Sequence, residues 1–352
     1  MNRLARRLAR SIAGGAAFSA LAAGAVTVDA PVAAASADLA TAAPGSIVFA
    51  KGGNVWAAAP DGSHQRRLTR NGTAGNPYTS PTQADNGTVV TIRGTKIFRL
   101  NRKGGVLGRP FKVAVGLTNP GPLHELAFNP AVSPDGKKVA LYKALLQGTY
   151  NSRTGVGGLN LLAVTTEYRN ASSGAKLGER HEPGTYLESP SWIDNRRLLV
   201  FAPYNSYSPQ VFVDTLGGGL HGWFADDLAG DSAFDRQLLD DGELFRSGDR
   251  LAAIRGTNVE GNWRDAAIIL YSVSGLSVAP SARCAIRASN GPLAKPTWSP
   301  DGRSVAWSDR SGIWSSPVDL SAPKCGLSPR LVIRGGTRPD WGPAPARSAK
   351  RG

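Results

Sequence analysis

The clearest hydrophobic and polar patterning in the chain lies at Lys295–Val318, KPTWSPDGRSVAWSDRSGIWSSPV. Trp298 and Ser299 end a short strand, and Pro300-Asp301-Gly302 makes the turn after it. Proline presets φ for turn entry, the Asp side chain accepts from nearby backbone N–H groups, and Gly tolerates positive φ. Ser304–Ser308 then alternates, with Val305 and Trp307 on one face and Ala306 on the other. A second tight turn around Ser311-Gly312 leads into the apolar strand Ile313–Val318. One such meander leaves an apolar face uncovered, so similar units must stack on it.

Weaker copies align on the position of Trp298. Pro130–Leu141, PAVSPDGKKVAL, has Val132 there, and Pro190–Phe201, PSWIDNRRLLVF, has Trp192 with a shorter turn. Pro81–Ile92, PTQADNGTVVTI, has Gln83, and the degenerate Leu244–Ala253, LFRSGDRLAA, starts at its own marker. Arg338–Pro343, RPDWGP, supplies Trp341 with nothing after it to complete a unit. The markers 83, 132, 192, 244, 298 and 341 are 49, 60, 52, 54 and 43 residues apart. Four-stranded propeller blades repeat at about 40–50 residues. Ser46–Arg70 has outer strands but no marker, so the C-terminal segment is expected to serve as its inner strand and close a ring. The expected fold is all-β, a six-bladed β-propeller over residues 45–345.

SPDGKKVAL and PTWSPDGRSVAW resemble the repeats of the TolB-type six-bladed propeller family, which also occur in propellers of prolyl-oligopeptidase-like peptidases. The resemblance covers Pro44–Pro343. It implies the fold and says little about activity, because the shared residues are turn and packing residues. TolB-type propellers are associated with binding envelope proteins. This chain lacks a region large enough for the TolB amino-terminal domain, so those specific partners are not carried over.

Low charge (19%) with 42 Gly and 24 Pro suits many short strands, and no second globular unit is needed. Residues 1–37 are expected to be a secretory signal peptide, with a basic segment (Arg3, Arg6, Arg7, Arg10), an uncharged Ala/Gly-rich core and a small-x-small site at Ala35-Ser36-Ala37. An uncleaved anchor is the other reading of that segment. Residues 38–44 read as a linker and 346–352 as a basic disordered tail. Removing 1–37 takes away four Arg and one acid, Asp29, and lowers the net charge from +15 to +12. In the expected exported monomer, with no transmembrane segment in the mature chain, that charge favours anionic envelope polymers or lipid headgroups over nucleic acid, a solvated basic surface being the better-supported account, and no aromatic-interleaved basic stripe suited to single strands is present. Cys284 and Cys325 flank the last blade and suggest one disulfide, two buried thiols being the alternative.

Candidate chemistry concentrates on one face. Blades one, two and six have tight turns between their middle strands, whereas blades three, four and five have long loops at Ala144–Gly158, Pro203–Gln210 and Gly256–Asp265. The connection Leu220–Glu243 is also long, and Ala225–Asp240 reads as a short helix. These segments place Tyr150, Arg153, Tyr204, Tyr207, Trp223, Trp263 and Arg264 on one sector, and Tyr, Trp and Arg dominate interface hot spots. The expectation is a binding or scaffold module for an envelope or extracellular protein. Packing of these aromatics onto their own loops is the competing account.

Enzyme signals are sparse. The nearest approach to G-x-S-x-G, Gly230–Phe234, lacks the closing Gly, and the chain has no room for the hydrolase domain of a propeller peptidase. The four His residues show no zinc-type spacing, so no metal or cofactor is expected. His221 near Asp226 and Asp227 has acid/base residue types, but solvated loop residues are the better account of it. Asp135 and Asp301 read as turn formers. The alternative function is a propeller enzyme acting on a carbohydrate or lactone at the axial channel, marked by two or more ionisable side chains converging there with perturbed pKa values.

Overall fold

The computed structural model describes residues 44–117, 121–149, 158–182, 185–203, 209–225, 237–259, 262–287 and 290–346, with the backbone alone at 237, 257–259 and 262–264. The expected signal peptide, most of the linker and most of the basic tail lie outside these residues. The chain is a six-bladed β-propeller. Six antiparallel four-stranded sheets stand in a ring, and five of them follow the chain in order. The first blade is composite: Thr337–Gly342 pairs antiparallel with Ser46–Lys51, joining Trp341 to Ile47 across the closure.

The other inner strands are Tyr78–Gln83, Leu123–Val132, Glu188–Trp192, Gln237–Leu244 and Ala294–Trp298. Each marker read from the sequence therefore ends, or nearly ends, an inner strand. The turns after the strongest copies repeat atom for atom. Ser299 Oγ donates to Asp301 Oδ1 at 2.6 Å and Ser133 Oγ donates to Asp135 Oδ1 at 2.6 Å. The Arg303 and Lys137 amides donate to the same carboxylates at 3.1 and 3.0 Å. The Asp residues are thus consumed by turn formation, and Gly302 and Gly136 supply the positive φ that follows.

Apolar clusters fill the spaces between neighbouring blades. Phe201, Trp223 and Phe224 of the fourth blade meet Leu251, Ile269 and Tyr271 of the fifth, and Ile254, Ile268 and Leu270 of the fifth meet Trp298, Val305 and Trp307 of the sixth. At about 25 cal/mol per Å² of apolar surface, this stacking is the main stabilising term of the ring. Cys284 of the fifth blade's outer strand is bonded to Cys325 of the sixth blade, 41 residues on, so the expected disulfide ties two blades together at their rim.

A hydrogen-bond relay runs along the inner strands. Asp340 of blade one accepts from the Gln83 amide of blade two at 3.3 Å. Thr82 of blade two accepts from the Val132 amide of blade three at 3.5 Å, and Thr297 of blade six accepts from the Trp341 amide of blade one at 3.1 Å. Glu243 of blade five accepts from the Trp298 amide of blade six at 3.4 Å. In each case the residue before one marker holds the backbone of the next. The markers answer in the opposite direction. Trp298 and Trp192 donate their indole N–H to the Glu243 and Ala131 carbonyls at 3.1 and 2.9 Å, and Gln83 donates its amide to the Asp340 carbonyl at 2.9 Å. Gln can replace Trp at this place because it too carries an N–H donor.

Three expectations are corrected. The Gly256–Asp265 segment is mostly strand, paired from Thr257–Arg264 out to Val259–Asn262, as its Thr, Val and Trp content permits. Blade three likewise extends as strand to Gln147 and Asn160, so its expected loop is shorter. The helix expected at Ala225–Asp240 does not include its last four residues, which begin the inner strand Gln237–Leu244; 226–236 lie outside the described residues.

Candidate active site in the axial channel

Every inner strand has an irregularity three residues before its marker. In five blades the dipeptide there ends in proline: Ser80-Pro81, Asn129-Pro130, Ser189-Pro190, Lys295-Pro296 and Arg338-Pro339. The first member has φ of 46°, 43°, 49°, 49° and 52° respectively. Positive φ on a residue with a Cβ costs about 1–3 kcal/mol at each place, and proline cannot donate to the ladder, so the pairing register slips here. Blade five shows the slip between Leu239 and Gly242, with Asp241 in the equivalent place and no proline.

The six irregularities and the strand ends beyond them surround one axial chamber, which encloses about 90 Å³. Arg338, Ser80, Lys295 and Asp241 lie at one level of its wall, and Asp340, Thr82, Glu243 and Thr297 lie two residues further along their strands. Lys295 Nζ pairs with Asp241 Oδ1 at 3.2 Å, and the Lys295 amide donates to the same carboxylate at 3.3 Å. Arg338 Nη1 donates to Asn129 Oδ1 at 2.5 Å and to Ser80 Oγ at 3.2 Å. On the face of the marker turns Arg246 of blade five forms an ion pair with Asp85 of blade two, which is diametrically opposite in a ring of six, so its side chain spans that mouth of the channel.

Glu243 and Asp340 are the chamber's unusual groups. Burial, and after it the negative charge of Asp340, pushes Glu243 up from 4.5 to about 8. Burial pushes Asp340 up from 3.8 to about 6, against hydrogen bonds from Thr82 Oγ1 (2.8 Å) and the Gln83 amide and against the charges of Lys295 and Arg246. At neutral pH one group is a protonated acid and the other a carboxylate, the division of labour that acid–base chemistry requires. No group of three or more His, Cys, Asp or Glu side chains suited to a metal ion occurs among the described residues.

Of the residues expected to bind a partner, Tyr150, Arg153, Tyr204 and Tyr207 lie outside the described residues. Trp263 and Arg264 fall in the hairpin of blade five, paired with Asn258 and Thr257, with side chains outside the description. Trp223 is buried at 8% exposure: its ring packs edge-on against Phe224, and its indole donates to the Val278 carbonyl at 2.8 Å. That indole is thus part of the packing between blades four and five. His221 is exposed on the outer strand of blade four.

The sequence pattern does not single out Glu243, Asp340, Arg338 or Lys295, although all four lie within three residues of a marker. One place before the markers the copies read Thr82, Ala131, Ser191, Glu243, Thr297 and Asp340. Three places before, they read Ser80, Asn129, Ser189, Asp241, Lys295 and Arg338. Polar columns inside an otherwise apolar repeat are the signal that could have found them.

No protein-family model matches the chain, and no curated protein matches it. Among solved structures it is similar to the periplasmic gluconolactonase of Pseudomonas aeruginosa, with a TM-score of 0.51 and 10% identity over 83% of this chain and 97% of that one. It is also similar to a puromycin-hydrolysing peptidase of Mycobacterium tuberculosis, with a TM-score of 0.46 and 15% identity over 82% of this chain. The chain spans 42% of that peptidase's length. The gluconolactonase likeness shows the propeller fold alone. None of these comparisons identifies the chain as TolB-type. No helix among the described residues is long and apolar enough to cross a membrane.

Proposed function

We propose that the protein is a hydrolase whose site is the axial chamber, acting on a carbohydrate-derived lactone or glycoside in an exported location. The observation that carries this reading is the substitution of two carboxylic acids into a relay that hydroxyls serve elsewhere. Thr82 and Thr297 hold their neighbours' amides without burying an ionisable group, whereas Glu243 and Asp340 perform the same task at the desolvation cost of a buried acid. Strongly perturbed carboxyls converging on a cavity are a site signature with a physical cause. In hydrolysis of a lactone, Asp340 takes the proton of the attacking water as its oxygen bonds to the acyl carbon. The ring C–O bond then breaks as Glu243 gives its proton to the leaving oxygen, and the two carboxyls return to their starting states through a proton relayed by water. The disulfide is in keeping with an oxidising compartment.

The test is turnover of a panel of aldonolactones and aryl glycosides by the chain from residue 38, followed across pH. The expected kcat/KM profile is bell-shaped, rising near 6 and falling near 8, and Glu243→Gln and Asp340→Asn each remove it. Absence of turnover across the panel, or turnover indifferent to both substitutions, overturns the reading.

A second reading, a scaffold for an envelope or extracellular protein, draws support from blade three, which carries exposed Leu123 (45%) on its inner strand and Leu162 (48%) on its extended hairpin. Capture of a protein from an envelope fraction that disappears in Leu123→Ser/Leu162→Ser is the result this reading expects; equal capture by the variant refutes it.

A further inference from the structure

Three cations border the chamber, and they are not equivalent. Lys295 is matched by Asp241, and Arg246 is matched by Asp85. Arg338 forms no ion pair among the described residues; its hydrogen bonds run from Nη1 to the neutral groups of Asn129 and Ser80. Ser80 Oγ in turn donates to Asn129 Oδ1 at 3.1 Å, so the arginine's anchors are themselves fixed. The guanidinium is half-buried at the chamber wall, and its position is set by a backbone held at φ 52° between two paired segments of the strand. One nitrogen is occupied in orienting the fork. The remaining donors sit on a rigid base, and no carboxylate among the described residues lies within ion-pair distance of them.

We infer that Arg338 is a specificity residue that receives an anionic group of the ligand, and that the chamber therefore takes a carboxylate-bearing sugar derivative, such as a uronate or an aldarate lactone, in preference to its neutral counterpart. A planar guanidinium with free N–H groups matches a carboxylate in shape and charge and binds it through paired hydrogen bonds. Arg338 stands on the wall of the chamber, where a carboxylate that enters meets the guanidinium. Glu243 does not oppose it at neutral pH, because that side chain is protonated there; the carboxylates that remain are Asp340 at that level and Asp241, paired with Lys295, at the level of Arg338 itself.

This inference rests on the chamber being the working site, but its test needs no turnover. Calorimetric titration of the intact chain with D-galacturonate and with D-galactose compares two probes that differ at one carbon. Galacturonate is expected to bind about 10-fold or more tightly than galactose, the worth of a charge-assisted hydrogen bond, and to weaken as salt rises. Arg338→Gln is expected to erase that preference, and Arg338→Lys, which keeps charge and loses the fork, to keep part of it. Thermal melting of each variant identifies any that has not folded, and the comparison of the two probes on wild type stands without them. Equal binding of the two sugars, binding of neither, or a preference that survives Arg338→Gln in a folded variant overturns the inference. Failure of the hydrolase reading appears separately, as absence of turnover with the carboxylate preference intact.

Discussion

Replacing Glu243 by Gln removes the most displaced titration in the chamber while retaining an oxygen that accepts from the Trp298 amide. Burial and the neighbouring Asp340 hold the Glu243 carboxyl at about 8 against an ordinary 4.5. Between those two pH values the folded chain keeps a proton that the unfolded chain has released. The folded state is therefore favoured most below about 4.5, and that advantage is lost progressively as pH rises to about 8. At about 1.4 kcal/mol per pH unit the span amounts to about 5 kcal/mol, an upper figure for a site that can relax. Asp340 adds a smaller limb of the same sign between 3.8 and about 6. Urea unfolding followed by tryptophan fluorescence, at steps from acid to mildly alkaline pH, separates the two. Wild type should lose midpoint concentration steadily through the neutral range. Glu243→Gln should match wild type in acid, hold level through the neutral range, and be the more stable protein above about 8, keeping only the lower limb due to Asp340. Parallel curves for the two proteins through the neutral range would refute the assignment of a buried, protonated Glu243.

Three further outcomes follow from the packing between blades. Changing Cys284 and Cys325 together to Ser opens a 41-residue loop and should cost about 4 kcal/mol by chain entropy, measured by chemical unfolding and matched by wild type under reductant. Tyr168 donates its hydroxyl to Asp214, which is fully buried and held on its other side by Arg180 at 3.0 Å. Tyr168→Phe should therefore destabilise by about 1–3 kcal/mol, and in wild type this phenol, raised by burial and by Asp214, should stay silent in an ultraviolet titration until the chain unfolds. Gln83→Leu removes donors to the Ser46 carbonyl (2.7 Å) and the Asp340 carbonyl (2.9 Å), one on each strand of the closure, and should lower the melting temperature by the equivalent of about 1–3 kcal/mol.

The fold is legible because its repeat is written in turn chemistry. Ser-Pro-Asp-Gly before an alternating strand admits few conformations, and the unfinished sixth copy beside a marker-less first blade identifies the closing strand. Hairpin lengths are less legible, since Gly256 and Asn258 look like loop residues until the ladder between strands gives their neighbours partners. The disulfide follows from the cysteine count, whereas the burial of Trp223 does not show, because nothing local distinguishes a tryptophan on an outer strand from one on a loop. The chamber is hidden for a geometric reason. Glu243 and Asp340 are 97 residues apart by their numbering, and only closure of the ring brings them to one level of the wall.

The same ring position does two jobs, and substitution by the residue found in other blades separates them. Thr82 and Thr297 show that a hydroxyl suffices to hold the next blade's amide. Glu243→Thr with Asp340→Thr therefore preserves the relay and deletes both titrating groups. If the carboxyls are there for chemistry, the double variant should fold cooperatively, lose the pH-dependent limbs between 3.8 and about 8, and show no turnover. If they are there for closure, it should instead melt well below wild type at every pH, including the acid range where neither carboxyl is charged in the folded state. The distinction is sharp because burial makes an acid the costlier way of accepting one hydrogen bond. A ring that needed only the bond would be expected to use threonine throughout, as the blades on either side of the closure already do.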